Sequence, residues 1–290
     1  MEKAKALLNL LMTEIERHEV EVLSVSFLSR QVGLSRWQLQ RTFSALTGLN
    51  LRDYLKEFRL CFAADCLINE RNGVLDIALA SGFSSQAAFS RAFKLRFTLT
   101  PIQYRQRAIK DDFSFNLFIP AEREWSKAMT IKIEKKSAMV LEGRQAYFNG
   151  YDSKQANNFE VIPPLWESLL QDEVFQQKPN LVGYGYICES DDRAQGELSY
   201  LASINQGDGV LQVAGDTINI AEQVYAIVPH HGLLDDLSNT LGAFYGQWLL
   251  ESDYKMSDDF SIEIYDERFD PESEDSYFEI WVPVQEATKA

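Results

Sequence analysis

The sequence predicts a two-domain chain, with an all-α N-terminal domain holding two helix-turn-helix units and an α+β C-terminal domain built from two pseudo-symmetric halves. Three observations predict it. Leu39-Gln40-Arg41-Thr42-Phe43 returns fifty residues later as Phe89-Ser90-Arg91-Ala92-Phe93. Residues 1–110 hold 16 Lys+Arg against 10 Asp+Glu, net +6, which leaves 12 against 33, net −21, for the rest. Apolar residues recur at helical spacing in the first part and at strand-like alternation from about residue 128 onward. The expected boundaries are 1–110 for the helical domain, 111–127 for a linker and 128–290 for the α+β domain. At 290 residues two domains are the ordinary expectation.

Residues 3–17 read as an amphipathic helix with Leu7, Leu8, Leu11 and Ile15 on its inner face. Ser24 or Ser26 caps a short helix over Phe27–Val32, and Gly33 supplies the left-handed residue that ends it. Ser35 starts the next helix, with Gln38 placed to close a capping box. Leu39, Phe43 and Leu46 form one stripe of that helix. Trp37, Gln40, Arg41 and Ser44 form another. Arg and Gln are side chains able to bond two atoms of a guanine or adenine edge at once. A solvated helix face is the plainer reading of the nonapeptide alone. The fifty-residue copy and the basic charge of this half favour a DNA-reading helix.

Leu49–Glu70 reads as a long helix without interior Gly or Pro, a stiff connector broken at Arg71-Asn72-Gly73. The pattern then returns: a short helix over Val74–Ser81, a turn at Gly82-Phe83, and a second long helix over Ser85–Phe97. Two reading helices on one connector can address successive major grooves, which repeat every ~34 Å. A rigid pair that spans less than this needs bent DNA or gives up some contacts. Thr100-Pro101-Ile102-Gln103 opens a last helix with Thr at the N-cap, Pro at the first position and Gln closing a capping box. Tyr104, Arg105 and Arg107 follow, with the basic pair available for phosphates.

Ile77-Ala78, Gly82-Phe83, Phe89-Ser90-Arg91-Ala92-Phe93-Lys94, Phe97, Thr100-Pro101 and Tyr104-Arg105 together resemble the AraC/XylS family of bacterial transcription regulators. Trp37-Gln38-Leu39-Gln40-Arg41 is similar to the Rob, MarA and SoxS group within it. The resemblance covers about 100 residues and implies double-stranded DNA as a partner, with RNA polymerase as a further one. It also implies that Trp37, Gln40 and Arg41 read bases in the first helix, and Gln86, Ser90 and Arg91 in the second. Ala87 and Ala88 depart from the group's polar residues and form no side-chain hydrogen bond. Most base selection is therefore expected from the first helix.

Asp111–Lys127 is too apolar for a free tether, with Phe113, Phe115, Leu117, Phe118, Ile119 and Trp125. Strands are expected over Met129–Asn149, interrupted at Lys135-Lys136-Ser137, then over Asn180–Cys188, Glu197–Ile204, Glu222–Val228, Phe260–Glu267 and Tyr277–Val284. Helices are expected over Phe159–Leu170, with Pro163-Pro164 in the first turn, and over Leu233–Glu251. In the last strand Tyr277, Glu279 and Trp281 share one face. A carboxylate between two aromatic rings suits a cation. Tyr277-Phe278-Glu279-Ile280-Trp281-Val282-Pro283-Val284 resembles the terminal strand of GyrI-like effector-binding domains. That resemblance covers about residues 128–286 and implies a small hydrophobic or cationic effector held at Glu279, Trp281 and Tyr277, with Tyr147, Trp166 and Tyr265 as aromatic walls. Tyr184, Tyr186, Phe244 and Trp248 are further wall candidates.

Other chemistries find less support. His230-His231 is read as part of a loop, and adjacent histidines do not readily share one metal, so no metal and no cofactor is expected. No phosphate-binding glycine loop and no nucleophile elbow is present. A non-enzymatic regulator is the expected function. A C-terminal hydrolase acting on reactive small molecules, or a protein-interaction module, is the alternative. The longest apolar run falls short of the ~18 residues of a membrane helix. Cys61, Cys66 and Cys188 do not make a disulfide framework, and the charged N-terminus lacks an apolar signal core. A cytoplasmic bacterial protein is expected.

Overall fold

The computed structural model describes residues 2–69, 71–107, 129–150, 153–171, 181–190, 197–206, 209–210 and 215–287. Two compact units emerge, one over Met1–Phe43 and Leu49–Ala121, the other over Ser44–Gly48 and Glu122–Ala290. The expected linker at 111–127 and the acidic residues Asp191 and Asp192 lie outside the described residues.

The described residues up to 107 are helical. α1 spans Glu2–Arg17, α2 Val25–Val32, α3 Arg36–Thr47, α4 Leu51–Asn69, α5 Val74–Ala80, α6 Gln86–Phe97 and α7 Pro101–Arg107. Local capping explains most of these boundaries. Ser24 Oγ accepts from Phe27 N at 3.1 Å, Ser35 Oγ from Gln38 N at 3.1 Å and Ser85 Oγ from Ala88 N at 3.2 Å. Thr100 and Gln103 close their box in both directions, at 3.0 and 3.3 Å. The left-handed ends fall where a turn needs them, at Gly33 with φ 69° and Gly48 with φ 72°. The equivalent of Gly48 after α6 is Thr98, held at φ 61°, where a Cβ makes the same turn more costly. The core of the second helix-turn-helix gathers Leu60, Leu67, Ile77, Phe89, Phe93 and Tyr104. Phe93 meets Phe89 and Tyr104 edge-on, each at 5.3 Å.

The second unit is one antiparallel sheet carrying helices. Its elements are β1 (Lys132–Lys136), β2 (Met139–Phe148), α8 (Asn158–Leu170), β3 (Val182–Glu189), β4 (Leu198–Gln206), β5 (Gly209–Val210), β6 (Asp216–Ile220), β7 (Gln223–His231), α9 (Leu237–Ala243), α10 (Leu249–Glu251), β8 (Tyr254–Met256), β9 (Phe260–Tyr265) and β10 (Tyr277–Glu286). The main strand order is β1-β7-β10-β9-β3-β4-β2-β6. Read outward from the β9–β3 pair, β3-β4-β2-β6 and β9-β10-β7-β1 mirror one another. In chain order the expected strand pair, helix, strand pair occurs twice, as β1-β2-α8-β3-β4 and β6-β7-α9-β9-β10, but the first strand of each set joins the other half of the sheet, β1 on β7 and β6 on β2.

Several expectations needed correction. Pro163 and Pro164 sit in the second turn of α8, past the positions where a missing N–H is harmless. The stretch expected as one helix over Leu233–Glu251 begins as a 3-10 turn at Leu234–Asp236. It is then interrupted between α9 and α10 by a π-turn over Phe244–Trp248. Two further strands lie outside the expected set: β8 has three residues, too few to show alternation, whereas β6 alternates over Thr217-Ile218-Asn219-Ile220. His230 and His231 end β7 and do not lie in a loop. His230 is buried, with Nδ1 2.8 Å from Thr240 Oγ1 and Nε2 3.1 Å from the Leu233 carbonyl oxygen.

Candidate functional site

Register decides which side chains can meet, because residues directly opposite in an antiparallel pair share a face. Glu263 lies opposite Gly185 on β3 and Ile280 on β10. Gly185 in turn lies opposite Ala202, and Arg144 opposite Ala202. This is the face that the helices cover: the Arg144 guanidinium bonds the Ser168 carbonyl oxygen of α8, and His230 reaches Thr240 of α9. Glu279 lies opposite Ile264, and Trp281 opposite Ile262, on the other face.

Glu263 is the centre of the helix-covered face. It is 8 % exposed. Its Oε2 accepts from Tyr265 Oη at 2.7 Å and from Tyr200 Oη at 3.1 Å. Tyr200 Oη accepts in turn from Trp166 Nε1 of α8 at 3.0 Å. The Trp166 ring meets Tyr265 edge-on at 5.6 Å and Tyr200 at 6.3 Å. Burial, and after it the Glu263 charge, holds both phenols well above their ordinary pKa, so each remains a protonated donor. Two glycines of β3 provide the room. A Cβ at Gly185 would press into Tyr200 Oη and lie 3.0 Å from Glu263 Oε2, and one at Gly183 would lie 3.1 Å from the Trp166 ring. A carboxylate ringed by three aromatic side chains is an environment that attracts an organic cation with apolar substituents.

Glu279 is arranged differently. Its Oε1 accepts from Tyr277 Oη at 3.1 Å and its Oε2 from Trp281 Nε1 at 2.9 Å, both on its own strand. Each ring already carries a cation of the chain, with Arg268 Cζ 4.0 Å from the Tyr277 centroid and Lys136 Nζ 4.5 Å from the Trp281 centroid. Of the expected walls, Tyr147 lies opposite Ser199 on this same face, with Tyr184 and Tyr186. Trp166 and Tyr265 belong to Glu263. The six residues expected around one effector thus divide between two faces of the sheet. Phe244 and Tyr245 are buried, and Trp248 stacks on Phe244 at 5.4 Å.

Glu263 was missed in sequence because Ser261-Ile262-Glu263-Ile264-Tyr265 alternates like a strand with its polar side in water. The available signal was the pair of small residues, Gly183 and Gly185, in a neighbouring strand.

In the helical unit the Arg41 guanidinium stands over the Trp37 ring at 4.4 Å, one helical turn along α3. Trp37 and Gln40 are buried, Arg41 and Ser90 are half-buried, and Gln86 and Arg91 are exposed. Arg105, expected at phosphates, donates from Nε to the Leu67 carbonyl at 3.1 Å and from Nη2 to that of Asn72 at 2.7 Å, fastening α7 to the end of α4.

Comparison with known proteins follows the same division. Residues 28–107 match a family described as a helix-turn-helix domain, and residues 132–284 match the integron-associated effector binding proteins. The chain is 38% identical over 106 residues to the probable transcription factor PqrA of Proteus vulgaris, covering 37% of this chain and 85% of that protein. The chain belongs to the AraC-type regulators. Its second half belongs to the integron-associated effector binding proteins. It is also 38% identical over 93 residues to the regulatory protein SoxS of Escherichia coli K12, covering 32% of this chain and 87% of that protein. A solved integron cassette protein, VCH_CASS2 from Vibrio cholerae, is 14% identical over 53% of this chain and 95% of its own, with a TM-score of 0.39. The family is thus an AraC-type DNA-binding transcription regulator with a GyrI-like second domain. Among the described residues no helix is long and apolar enough to cross a membrane, and no group of three or more His, Cys, Asp or Glu is placed to hold a metal.

Proposed function

We propose that this regulator reads double-stranded DNA mainly through Trp37, Gln40 and Arg41 of α3, with Gln86, Ser90 and Arg91 of α6 in support. Residues 128–290 bind a hydrophobic organic cation at Glu263. The carrying observation is the buried Glu263 carboxylate held by Tyr200 and Tyr265 beneath Trp166. Glu279, with its own aromatic donors and the chain's own cations in place, serves the sheet, and Tyr147 lines that face. Direct base readout requires Trp37 and Gln40, buried in this state, to be exposed. The effector acts by favouring one set of conformations, competent for DNA or for RNA polymerase, to the extent that it binds that set more tightly. The protein works in the bacterial cytoplasm.

Two titrations test this. Calorimetry with benzyltributylammonium as the probe cation is expected to show saturable binding that Glu263→Gln weakens about tenfold or more, the scale of one charge contact within an aromatic site. Equal affinity in the variant overturns the placement. Hydrolysis of a reactive ester such as p-nitrophenyl acetate by the wild type, lost in Glu263→Gln, would mark a hydrolase. Gel shifts on promoter fragments are expected to lose about 1–3 kcal/mol with Arg41→Ala, the worth of a two-atom base contact. Equal shifts would remove Arg41 from base reading.

A further inference from the structure

The two helix-turn-helix units of the first domain are joined by more than the length of α4. At its middle, Arg59 points into the junction between them. Its Nη2 donates to the carbonyl oxygen of Leu23, in the turn that leads into α2. Its guanidinium lies along the Gly82 turn of the second unit: a Cβ at Gly82 would stand 3.0 Å from Arg59 Nε, 3.3 Å from Cζ and 3.4 Å from the Glu21 Cα. Gly82 has φ +75°, so this turn takes glycine both for its backbone and for its closeness to Arg59. Arg59 Nε is buried and has no hydrogen-bond partner among the described residues. Two residues earlier, Glu57 pairs with Arg96 of α6, the second reading helix. One short stretch of α4 therefore holds the entry to the first unit, the turn of the second and the second reading helix.

Packing alone does not account for an arginine here. An apolar side chain of similar volume would fill the junction without removing a guanidinium from water or leaving a buried N–H unmatched. What arginine adds is direction, because a planar fork fixes where its carbonyl partner lies relative to its own helix.

We propose that Arg59 is a positioning residue that sets the distance and angle between α3 and α6, and with them the spacing of the two DNA half-sites the protein accepts. The proposal rests on the DNA-reading function above. α4 spans 19 residues, about 28 Å at 1.5 Å per residue, against a groove repeat of ~34 Å. The match between reader and duplex is therefore set by the angle of each unit on the connector as well as by its length. One inserted base pair turns the second half-site by roughly 35° around the duplex, which a fixed junction does not follow and a loosened one does.

The test is selection of bound sequences from a random double-stranded DNA library by the full chain, read as the spacing between the two enriched half-sites. Wild type is expected to enrich one spacing. Arg59→Met is expected to keep the half-site sequences but spread the reads to spacings one base pair shorter and longer. Arg59→Lys, which keeps the charge without the fork, and Arg96→Gln are expected to fall in between. Circular dichroism melts identify a variant that does not fold, and if Arg59→Met is one, Arg59→Lys and Arg96→Gln decide. An unchanged spacing distribution in the folded variants overturns the proposal, as does a wild type that enriches one half-site alone. A wild type that enriches no sequence overturns the DNA-reading function itself.

Discussion

Glu263 and Glu279 lie on neighbouring strands, and each accepts hydrogen bonds from two aromatic side chains. Their partners come from different distances along the chain. Glu279 is served by Tyr277 and Trp281, two residues away on either side along β10. Glu263 is served by Tyr265 nearby and by Tyr200, which lies 63 positions away and is itself held by Trp166 from α8. The first cluster is a property of one strand and stands beside Arg268 and Lys136. The second exists only once both halves of the domain have met along the β9–β3 seam. Similar chemistry on opposite faces of one sheet thus takes its hydrogen bonds from one strand on one side and, on the other, from strands and a helix that meet only in the folded domain.

The sharpest way to break this comparison is to close the space on one side. Gly185→Ala places a methyl group against Tyr200 Oη and Glu263. It is expected to destabilise the C-terminal domain by about 1–3 kcal/mol, the usual cost of overpacking, seen as a lower Tm. An unchanged Tm would mean that the Tyr200–Glu263 contact has slack.

Alkaline pH acts on both sites, with the Tyr277 pKa raised by burial and then by the Glu279 charge, and those of the two phenols at Glu263 raised further. Tyr200 and Tyr265 hold their protons in the folded chain well above the ordinary value near 10.0, because of burial first and the Glu263 charge second. Their contribution is fully present below pH 10. As pH rises above it, the unfolded chain releases phenol protons that the folded chain keeps, and stability falls by up to about 1.4 kcal/mol per pH unit for each such group. Urea denaturation between pH 9 and 11 is expected to show this slope, and Tyr200→Phe to make it shallower. A slope that Tyr200→Phe leaves untouched would place the titration elsewhere.

The smallest effect is expected from Glu279→Gln. Glu279 is half-buried, and the loss should be under about 1 kcal/mol, with binding of the probe cation retained. Loss of cation binding in this variant and not in Glu263→Gln would reverse the assignment of the two faces.

The same contrast between near and far partners explains how much could be read from sequence. The helical domain was legible nearly to the residue, because its signals are local. Ser24, Ser35, Ser85 and Thr100 cap helices within three residues of themselves, and Gly33 and Gly82 mark turns by their own conformation. The two halves of the second domain were legible as a pattern of strands and helices. Its centre was not, since Glu263 reads as an outward-facing strand residue until Gly183, Gly185 and Tyr200 are brought opposite by pairing. Tyr277, Glu279 and Trp281 showed the stronger local signal, and the structure places them on the face away from the helices. Arg59 was silent for the same reason, its partners lying 36 residues before it and 23 after.

Trp166 has one more consequence. Its indole N–H ends the chain of hydrogen bonds that begins at Glu263, and indole emission responds to the loss of that bond and to a charge brought near the ring. Arrival of a cation at Glu263 would therefore be written into the protein's own fluorescence, and Trp166→Phe would erase that optical signal while leaving the carboxylate in place.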